Sequence, residues 1–181
     1  MKSAIIIILV LIILGGAGWY YWDTNTIAMP EAGPKANTFE ECVKAGYSVT
    51  ESYPRQCKTS DGKTFVENIG NALEKENLIR LASPRPNNIV TSPLLIEGEA
   101  RGTWYFEASF PVSLYDANGK LLARTPAQAE GEWMTENFVP FKAGLKFNPP
   151  TTDTGFLILE KDNPSGLPEH ADELKIPVRF R

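Results

Sequence analysis

The sequence predicts a mainly β fold, a two-sheet antiparallel sandwich, preceded by an N-terminal transmembrane helix and a small α+β unit. Three observations support this prediction. Apolar and polar residues alternate in several segments of the second half of the chain, which is typical of half-buried strands. Turns containing Pro and Gly separate these segments at short intervals, as in sandwiches. An uncharged, mostly apolar run occupies residues 4–22.

The apolar run at residues 4–22 is long enough to cross a membrane. As a helix it would span about 28 Å at ~1.5 Å per residue, close to the ~30 Å hydrocarbon core of a bilayer. Lys2 lies before the run and Asp23 after it, and this charge bias places the N-terminus in the cytoplasm. We interpret residues 1–22 as the transmembrane signal anchor of a single-pass cell-membrane protein whose bulk is extracytoplasmic.

A cleaved signal peptide is the alternative interpretation of the same run. Ile5–Leu14 has the length and apolarity of a signal-peptide core, and Gly15–Gly18 offers small residues for cleavage. Trp19–Trp22 favours the uncleaved anchor, because aromatic side chains concentrate at the membrane interface.

A tether and a small cysteine-containing unit follow the anchor. Residues 23–37 are rich in Pro, Gly, Ala and polar residues, which indicates flexibility. Residues 38–67 form a two-cysteine mini-unit with too few apolar side chains for a self-sufficient core. It contains both cysteines of the chain, Cys42 and Cys57, and outside the membrane such a pair predicts a disulfide. A metal site is the alternative, but zinc needs four ligands and the sole histidine, His170, lies far along the chain.

The β-rich domain is predicted at residues 77–181, after a polar linker at 68–76. Gly155–Glu160 is continuously apolar and therefore predicted to be central, whereas Pro177 lacks an N–H and predicts an edge strand. Asp116–Gly119 contains Asn-Gly and predicts a hairpin turn. The predicted strands are Leu78–Leu81, Ile89–Val90, Leu94–Glu99, Thr103–Tyr115, Lys120–Thr125, Phe141–Phe147, Gly155–Glu160 and Leu174–Phe180.

The segment Thr103–Tyr115 is the longest of these strands. Its even-numbered positions are apolar and most of its odd-numbered positions are polar, a period of two. Trp104 falls in phase with the apolar face and is predicted to be core. Tyr105 falls out of phase and is predicted to be exposed.

No ligand follows from the sequence, and three residues are the candidates for binding one. Tyr105 is a candidate because amphipathic aromatic residues dominate many contacts. Glu107 lies on the polar face and is either a functional carboxylate, a partner of Arg101, or solvated. Asn163 lies in the oxygen-rich loop Asp162–Gly166, which lacks the spaced acidic residues of a calcium site, so a structured turn is favoured.

Charge and motif content restrict the class of function. The formal net charge is −4 and no basic patch is present in the sequence, which disfavours nucleic acid as a partner. The sequence has no nucleophile elbow, phosphate loop or histidine pair. We therefore predict a protein without catalytic residues, cofactor or metal.

Taken together, the segments of the second half resemble a known family. They read VTSPLLIEGEARGTWYFEASFPV, a DANG turn, WMTENFVPF, TGFLILEKDNPSGLPE and a final IPVRF strand, and they occupy Val90–Val112, Asp116–Gly119, Trp133–Phe141, Thr154–Glu169 and Ile176–Phe180. Over residues 77–181 the chain is similar to the bacterial spore-germination immunoglobulin-like domain. The resemblance implies an extracytoplasmic immunoglobulin-like β-sandwich and provides no catalytic residue. Residues 38–67 resemble a short motif of bacterial envelope proteins.

These observations lead to one expected function and two alternatives. We expect a membrane-anchored envelope protein, held in the membrane through residues 4–22, whose sandwich binds an envelope protein or a cell-wall polymer. A structural spacer or assembly module is the first alternative. A glycan-acting enzyme with paired carboxylates is the second.

The choice between anchor and signal peptide predicts the N-terminus of the mature protein. We expect the purified protein to retain Met1–Gly18, because the aromatic residues that follow are placed as an interfacial belt. Intact-mass measurement of protein extracted from membranes checks this. A mass corresponding to a chain that begins at Trp19 would contradict it.

Overall fold

The computed structural model describes residues 34–181, which form two compact units. The smaller unit comprises residues 34–50 and 56–65, and the larger unit comprises residues 51–55 and 66–181. The predicted anchor at 1–22 and the tether up to residue 33 lie outside the described residues. Of the helices within residues 34–181, none has the length and apolarity needed to cross a membrane.

The smaller unit combines one short helix with a three-stranded sheet of order β1-β2-β3. The Thr38 side chain accepts a hydrogen bond from the Glu41 backbone N–H at 3.1 Å, which satisfies one of the free donors at the helix start. The elements are α1 (Phe39–Lys44), β1 (Ser48–Thr50), β2 (Gln56–Lys58) and β3 (Thr64–Val66).

The predicted disulfide between Cys42 and Cys57 is confirmed. It joins α1 to β2, and both cysteines are fully buried. The remaining side chains of this small core are Ala36, Phe39, Tyr47, Val49 and Phe65. Because so few apolar side chains surround it, the disulfide is a major stabilising element of the unit.

The larger unit is built from seven strands that form one antiparallel sheet, in the order β10-β9-β6-β7-β8-β5-β4. The elements are α2 (Ala72–Lys75), β4 (Ile79–Ser83), β5 (Leu94–Arg101), the 3-10 helix η1 (Gly102–Trp104), β6 (Ser109–Asp116), β7 (Leu121–Ala129), β8 (Phe138–Leu145), β9 (Thr154–Glu160), the 3-10 helix η2 (Pro168–His170) and β10 (Glu173–Arg179). The predicted central position of β9 is confirmed, since it pairs with both β10 and β6.

The sheet folds over on itself and forms the two layers of a sandwich. Strand β7 pairs with β6 along most of its length, and its end, at Gln128 and Ala129, pairs with β8. Although β7 separates β6 from β8 in the sheet, the rings of Phe110 and Phe141 on those strands meet edge to face at 4.9 Å. The strands β10-β9-β6-β7 therefore pack against β8-β5-β4, as expected for an immunoglobulin-like sandwich.

The interior of the sandwich is a single apolar core, to which most of the strands contribute alternate residues. Its largest fully buried side chains are Trp104, Phe110, Phe141, Ile79, Ile96, Leu114, Leu145, Leu157, Leu159, Leu174, Ile176 and Val112. These residues come from both layers, so the two sheets are held together by apolar packing.

The predicted hairpin turn after β6 is confirmed. Gly119 has φ +78°, a conformation that side chains disfavour. The buried Asp116 carboxylate accepts hydrogen bonds from the backbone N–H groups of Asn118 and Lys120, both at 2.9 Å. The turn therefore has its donors satisfied from within.

Strand β10 lies at one end of the sheet, as Pro177 predicts, and its outer backbone groups are covered. The Asn71 side chain accepts from the Lys175 N–H at 2.8 Å and donates to the Glu173 carbonyl at 2.9 Å. Further along, the segment at 87–90 bonds to the carbonyls of Pro177 and Arg179 and to the Arg179 N–H. Such covering prevents edge-to-edge association at β10.

The predicted continuous strand Thr103–Tyr115 is wrong in its first half. Helix η1 replaces its start, and Phe106 and Ser109 then close a tight turn through two backbone hydrogen bonds. The central residues of that turn, Glu107 and Ala108, have φ values of 49° and 62°, which is left-handed backbone typical of a two-residue hairpin turn. Strand β6 begins only after this turn.

The chain leaves the strand path at Gly102, where it packs closely against the segment before β8. A Cβ atom at Gly102 would lie 1.9 Å from the Thr135 carbonyl oxygen and 2.2 Å from that of Trp133. This approach requires glycine. The residues after Gly102 therefore do not form the strand that their alternating pattern predicts.

As a consequence, the prediction that Tyr105 is exposed is wrong. Its side chain is buried, with 4% of its surface exposed, and its hydroxyl donates to the Val139 carbonyl at 2.7 Å. Burial raises the pKa of this phenol. Trp104 is buried as predicted, but the two adjacent side chains share the core because the backbone there is not extended.

The predicted linker at 68–76 is instead an integral part of the larger unit. Ile69 is buried, Ala72 packs against the sandwich core, and Asn71 covers the edge of β10. The short helix α2 thus has a structural role that its polar composition concealed.

Replacement of both Cys42 and Cys57 with Ser is expected to destabilise the smaller unit by about 3 kcal/mol. The physical reason is that the bond closes a loop with a sequence separation of 15. Hydrogen exchange of the full chain, read by mass spectrometry in peptides from 34–50 and 56–65, measures the loss of protection. Peptides from β8 and β9 are the internal control. Unchanged protection in the smaller unit would contradict the assignment.

A Tyr105→Phe substitution is expected to lower the free energy of unfolding of the larger unit by about 1 kcal/mol, because it removes a buried hydrogen bond while keeping the ring. Denaturant unfolding followed by tryptophan fluorescence measures this. Tyr115→Phe is the matched control, since no residue within 34–181 accepts a hydrogen bond from the Tyr115 hydroxyl. Equal effects of the two substitutions would argue against the Tyr105–Val139 bond.

Candidate functional site

An open cavity of about 240 Å³ lies beside β4, at the opposite end of the sheet order from β10. Its floor consists of Ile79 and Leu81 from β4 and of Leu174 and Ile176 from β10. Three of these four side chains belong to the buried core. The cavity therefore lies where the last strands of the two layers face each other, directly above buried core side chains.

The rim of the cavity carries aromatic, apolar and charged side chains. Tyr53 and Leu73 are largely exposed, at 56% and 48% of their surface. Glu76, Arg80 and Arg85 add both signs of charge. An apolar floor with a few polar groups around it is the usual composition of a binding site.

The backbone of β4 contributes unpaired groups on the side away from β5. The Arg101 N–H donates to the Leu78 carbonyl at 2.8 Å, and hydrogen-bonded pairs alternate along an antiparallel ladder. Arg80 is therefore bonded to its partner Glu99, whereas Ile79 and Leu81 direct their N–H and C=O groups away from β5. Among residues 34–181 no hydrogen-bond partner covers these outward groups.

The two arginines at the rim differ in their surroundings. Arg80 bonds the Glu99 carboxylate at 3.0 Å and the Glu76 carbonyl at 2.9 Å, and its guanidinium lies 4.1 Å from the centre of the Phe138 ring. Its charge is thus already engaged. The Arg85 side chain, in contrast, forms no ion pair or hydrogen bond within the described part of the chain.

Tyr53 is placed at the rim by a partly buried ionic network that includes Arg55 of its own segment. The Arg55 guanidinium donates to both oxygens of the buried Glu67 carboxylate, at 2.9 and 2.6 Å. The Asn87 side chain donates to the same carboxylate at 3.1 Å and to the Asn68 carbonyl at 2.8 Å. This network fixes residues 51–55 to the rest of the larger unit.

The pKa values of Glu67, in the ionic network, and of Tyr53, at the cavity rim, are both shifted. The hydrogen bond from Arg55 holds the pKa of Glu67 below its usual value, against the opposing effect of burial, and the Asn87 bond adds to the lowering. Partial burial raises the pKa of Tyr53, Arg85 opposes that shift, and the carboxylates of Glu67 and Glu76 add to it. The Tyr53 phenol is therefore protonated at neutral pH and is a hydrogen-bond donor.

The three ligand candidates predicted from the sequence lie away from this cavity and do not come together in one site. Tyr105 is core. Glu107 is exposed in the turn before β6, while Arg101 donates instead to the carbonyls of Asn77 and Glu136.

Asn163 lies in a loop whose polar groups bond to one another. Its side chain donates to the Leu167 carbonyl at 2.8 Å and accepts from the Ser165 hydroxyl at 2.5 Å. This is the structured turn that the sequence favours for Asp162–Gly166. His170 is exposed in η2. Within residues 34–181 no group of His, Cys, Asp and Glu side chains is arranged to hold a metal ion.

The sequence does not reveal the cavity, because the residues that line it are far apart in the chain. Leu78–Leu81 is predicted as a strand, but nothing in its pattern shows that one side stays unpaired. Tyr53, Arg85 and the α2 residues come together only through the tertiary fold. No local signal in the sequence identifies these residues as neighbours.

The groups around the cavity beside β4 are suited to non-covalent binding. They comprise an apolar depression, two outward-facing backbone donor–acceptor pairs, one phenol and one unengaged guanidinium. These groups recognise surfaces and side chains.

Comparison with known proteins agrees with the fold. Residues 78–166 match the model of a family described as the immunoglobulin-like domain of bacterial spore germination. This match covers the chain from the residue before β4 to the loop after β9. No curated protein and no solved structure matches the chain. The chain therefore carries a domain that belongs to the bacterial spore-germination immunoglobulin-like family.

Proposed function

We propose that this chain is a membrane-anchored, extracytoplasmic envelope protein whose immunoglobulin-like domain binds another protein or a cell-wall polymer without catalysing a reaction. The proposal concerns a binding module held at the outer surface of the cell membrane. The anchor is residues 4–22.

The location rests on two features of the chain. The apolar run at 4–22, preceded by Lys2 and followed by Asp23, has the composition and length of a membrane span. The Cys42–Cys57 disulfide is the kind of bond that forms and persists in oxidising, extracytoplasmic compartments.

The single observation that carries the binding role is the open cavity beside β4. A sandwich that serves only as a spacer gains stability by keeping apolar side chains out of water. Here Ile79, Leu174 and Ile176 on the floor of the depression are almost fully buried, but Leu73 and Tyr53 at its rim stand largely exposed. Exposed apolar surface bordered by polar groups is typical of interaction sites.

Site-specific photocrosslinking tests this proposal in intact membranes. A benzophenone amino acid in place of Leu73, at the cavity rim, is expected to give a discrete adduct with an envelope component, because a bound partner would lie within reach. Leu121 in β7 is the matched control, since its exposed fraction of 45% is close to the 48% of Leu73. Mass spectrometry identifies whether the adduct contains a protein or a glycan.

The result expected is a severalfold stronger adduct from position 73 than from position 121. Equal labelling from both positions, or none from either, would favour the spacer. Soluble protein recovered without detergent, with an intact N-terminus, would contradict the membrane anchor.

A further inference from the structure

We propose that β4 accepts an extended segment of a partner protein as an additional antiparallel strand, with alternate apolar side chains in the cavity and charges of opposite sign at its two ends. The proposal rests on the proposed binding function and names the form of the partner. The occupant is a polypeptide in extended conformation.

The hydrogen-bonding pattern of β4 provides the main argument. Ile79 and Leu81 are two residues apart and direct their backbone groups to the same side, away from β5. Polar backbone groups in an apolar setting need partners. An extended chain presents donors and acceptors at the same two-residue spacing, so it is the ligand that satisfies them together.

At the opposite end of the sheet, the outward backbone groups of β10 are covered by other parts of the chain. There, Asn71 and the segment at 87–90 bond the outward groups of β10 at Glu173, Lys175, Pro177 and Arg179. The same chain leaves the outward groups of β4 uncovered within residues 34–181. Of the two end strands of the sheet, only β4 therefore has an outer side whose backbone groups lack hydrogen-bond partners within residues 34–181.

The size of the cavity favours side chains over a whole small molecule. Its volume is about 240 Å³, below the ~300–1,000 Å³ of typical small-molecule sites. In a strand added to β4, alternate side chains point to the same face. One or two aliphatic side chains of the partner would therefore enter the cavity above Leu174 and Ile176.

The charges at the rim indicate which end of the added strand carries an acidic residue and which end a basic one. Glu76 lies before the start of β4 and Arg85 after its end, and both line the cavity. Arg80, between them, is already engaged by Glu99. The named strands of the sandwich pair antiparallel, whereas the bridge between Ile89 and Arg179 is parallel. In the antiparallel arrangement proposed for β4, the added strand would begin near Arg85 with an acidic residue and end near Glu76 with a basic one.

Two synthetic peptides of identical composition test the proposal. The first contains Glu-Val-Thr-Val-Lys and the second the reversed order Lys-Val-Thr-Val-Glu, each between Ser-Gly flanks. They are titrated to millimolar concentration against the full chain in detergent micelles, and amide exchange is read residue by residue by NMR. A third peptide carries the first sequence with methylated backbone nitrogens, which removes its donors.

In the free protein the Leu81 amide is expected to exchange rapidly and the Arg80 amide slowly, because only the latter is bonded within the sheet. The first peptide should slow exchange at Leu81 by at least about tenfold while leaving Arg80 unchanged. It should bind about fivefold more tightly than the reversed peptide, as expected for two exposed charge pairs. The methylated peptide should lose the protection.

Two substitutions separate charge recognition from general effects. Arg85→Glu should abolish the preference for the first peptide over the reversed one. Lys146→Glu makes the same change of charge at an exposed residue outside the cavity and should leave the preference intact. Both positions are on the surface, so the fold is retained in each variant.

Several outcomes would overturn the proposal. No protection of Leu81 by either peptide would exclude strand addition, even if crosslinking from position 73 succeeds and the binding function survives. Protection of Leu81 that depends on protein concentration without peptide would show that a second copy of the chain is the occupant. If a peptide binds at β4 but position 73 gives no crosslinked envelope component, β4 is able to accept a strand, and the proposed binding of an envelope component is contradicted.

Discussion

The need to satisfy backbone hydrogen bonds at the ends of the sheet determines how the larger unit is built. A strand inside the sheet has both sides paired, but β10 and β4 each have one side that no neighbouring strand covers. At β10 the chain covers that side with Asn71 and with the segment before β5. This covering explains why α2, although short and polar, is part of the folded unit. At β4 no such cover is found among residues 34–181, and the cavity follows from that difference.

The apolar packing between the two layers depends on the same arrangement. Because β7 turns from β6 to β8, the inner faces of both halves meet, and Phe110 contacts Phe141 across the interior. The terminal strands of the two layers then face each other without pairing. Their side chains, Leu174 and Ile176 opposite Ile79 and Leu81, form the cavity floor. The core and the candidate site thus share the same side chains, which ties binding at the cavity to the stability of the sandwich.

The mainly β sandwich, the disulfide, the hairpin turn and the edge position of β10 follow from local patterns, and the structure agrees with each. Alternation, an Asn-Gly pair, an isolated pair of cysteines and Pro177 each indicate structure through nearby residues alone. The break before β6 does not, because the crowding at Gly102 involves residues more than thirty positions away in the chain, and Glu107-Ala108 is not a common left-handed turn sequence. For this reason the alternating pattern predicts the wrong environment for Tyr105, which is buried. The cavity depends on which strand sides remain unpaired, and sequence periodicity contains no information about pairing partners.

The Asn71 side chain ends the hydrogen-bonded ladder at the edge of β10. A carboxamide is chemically equivalent to a peptide group, and here it accepts from Lys175 and donates to Glu173 as a neighbouring strand would. One residue thus imitates an extra strand and terminates the hydrogen-bond ladder. If a chain joined the sheet at β4, the covered edge at β10 would not continue the ladder, so such association would stop at single complexes and would not grow into linear polymers. A limit of this kind at one edge of the sheet separates pairwise association from aggregation.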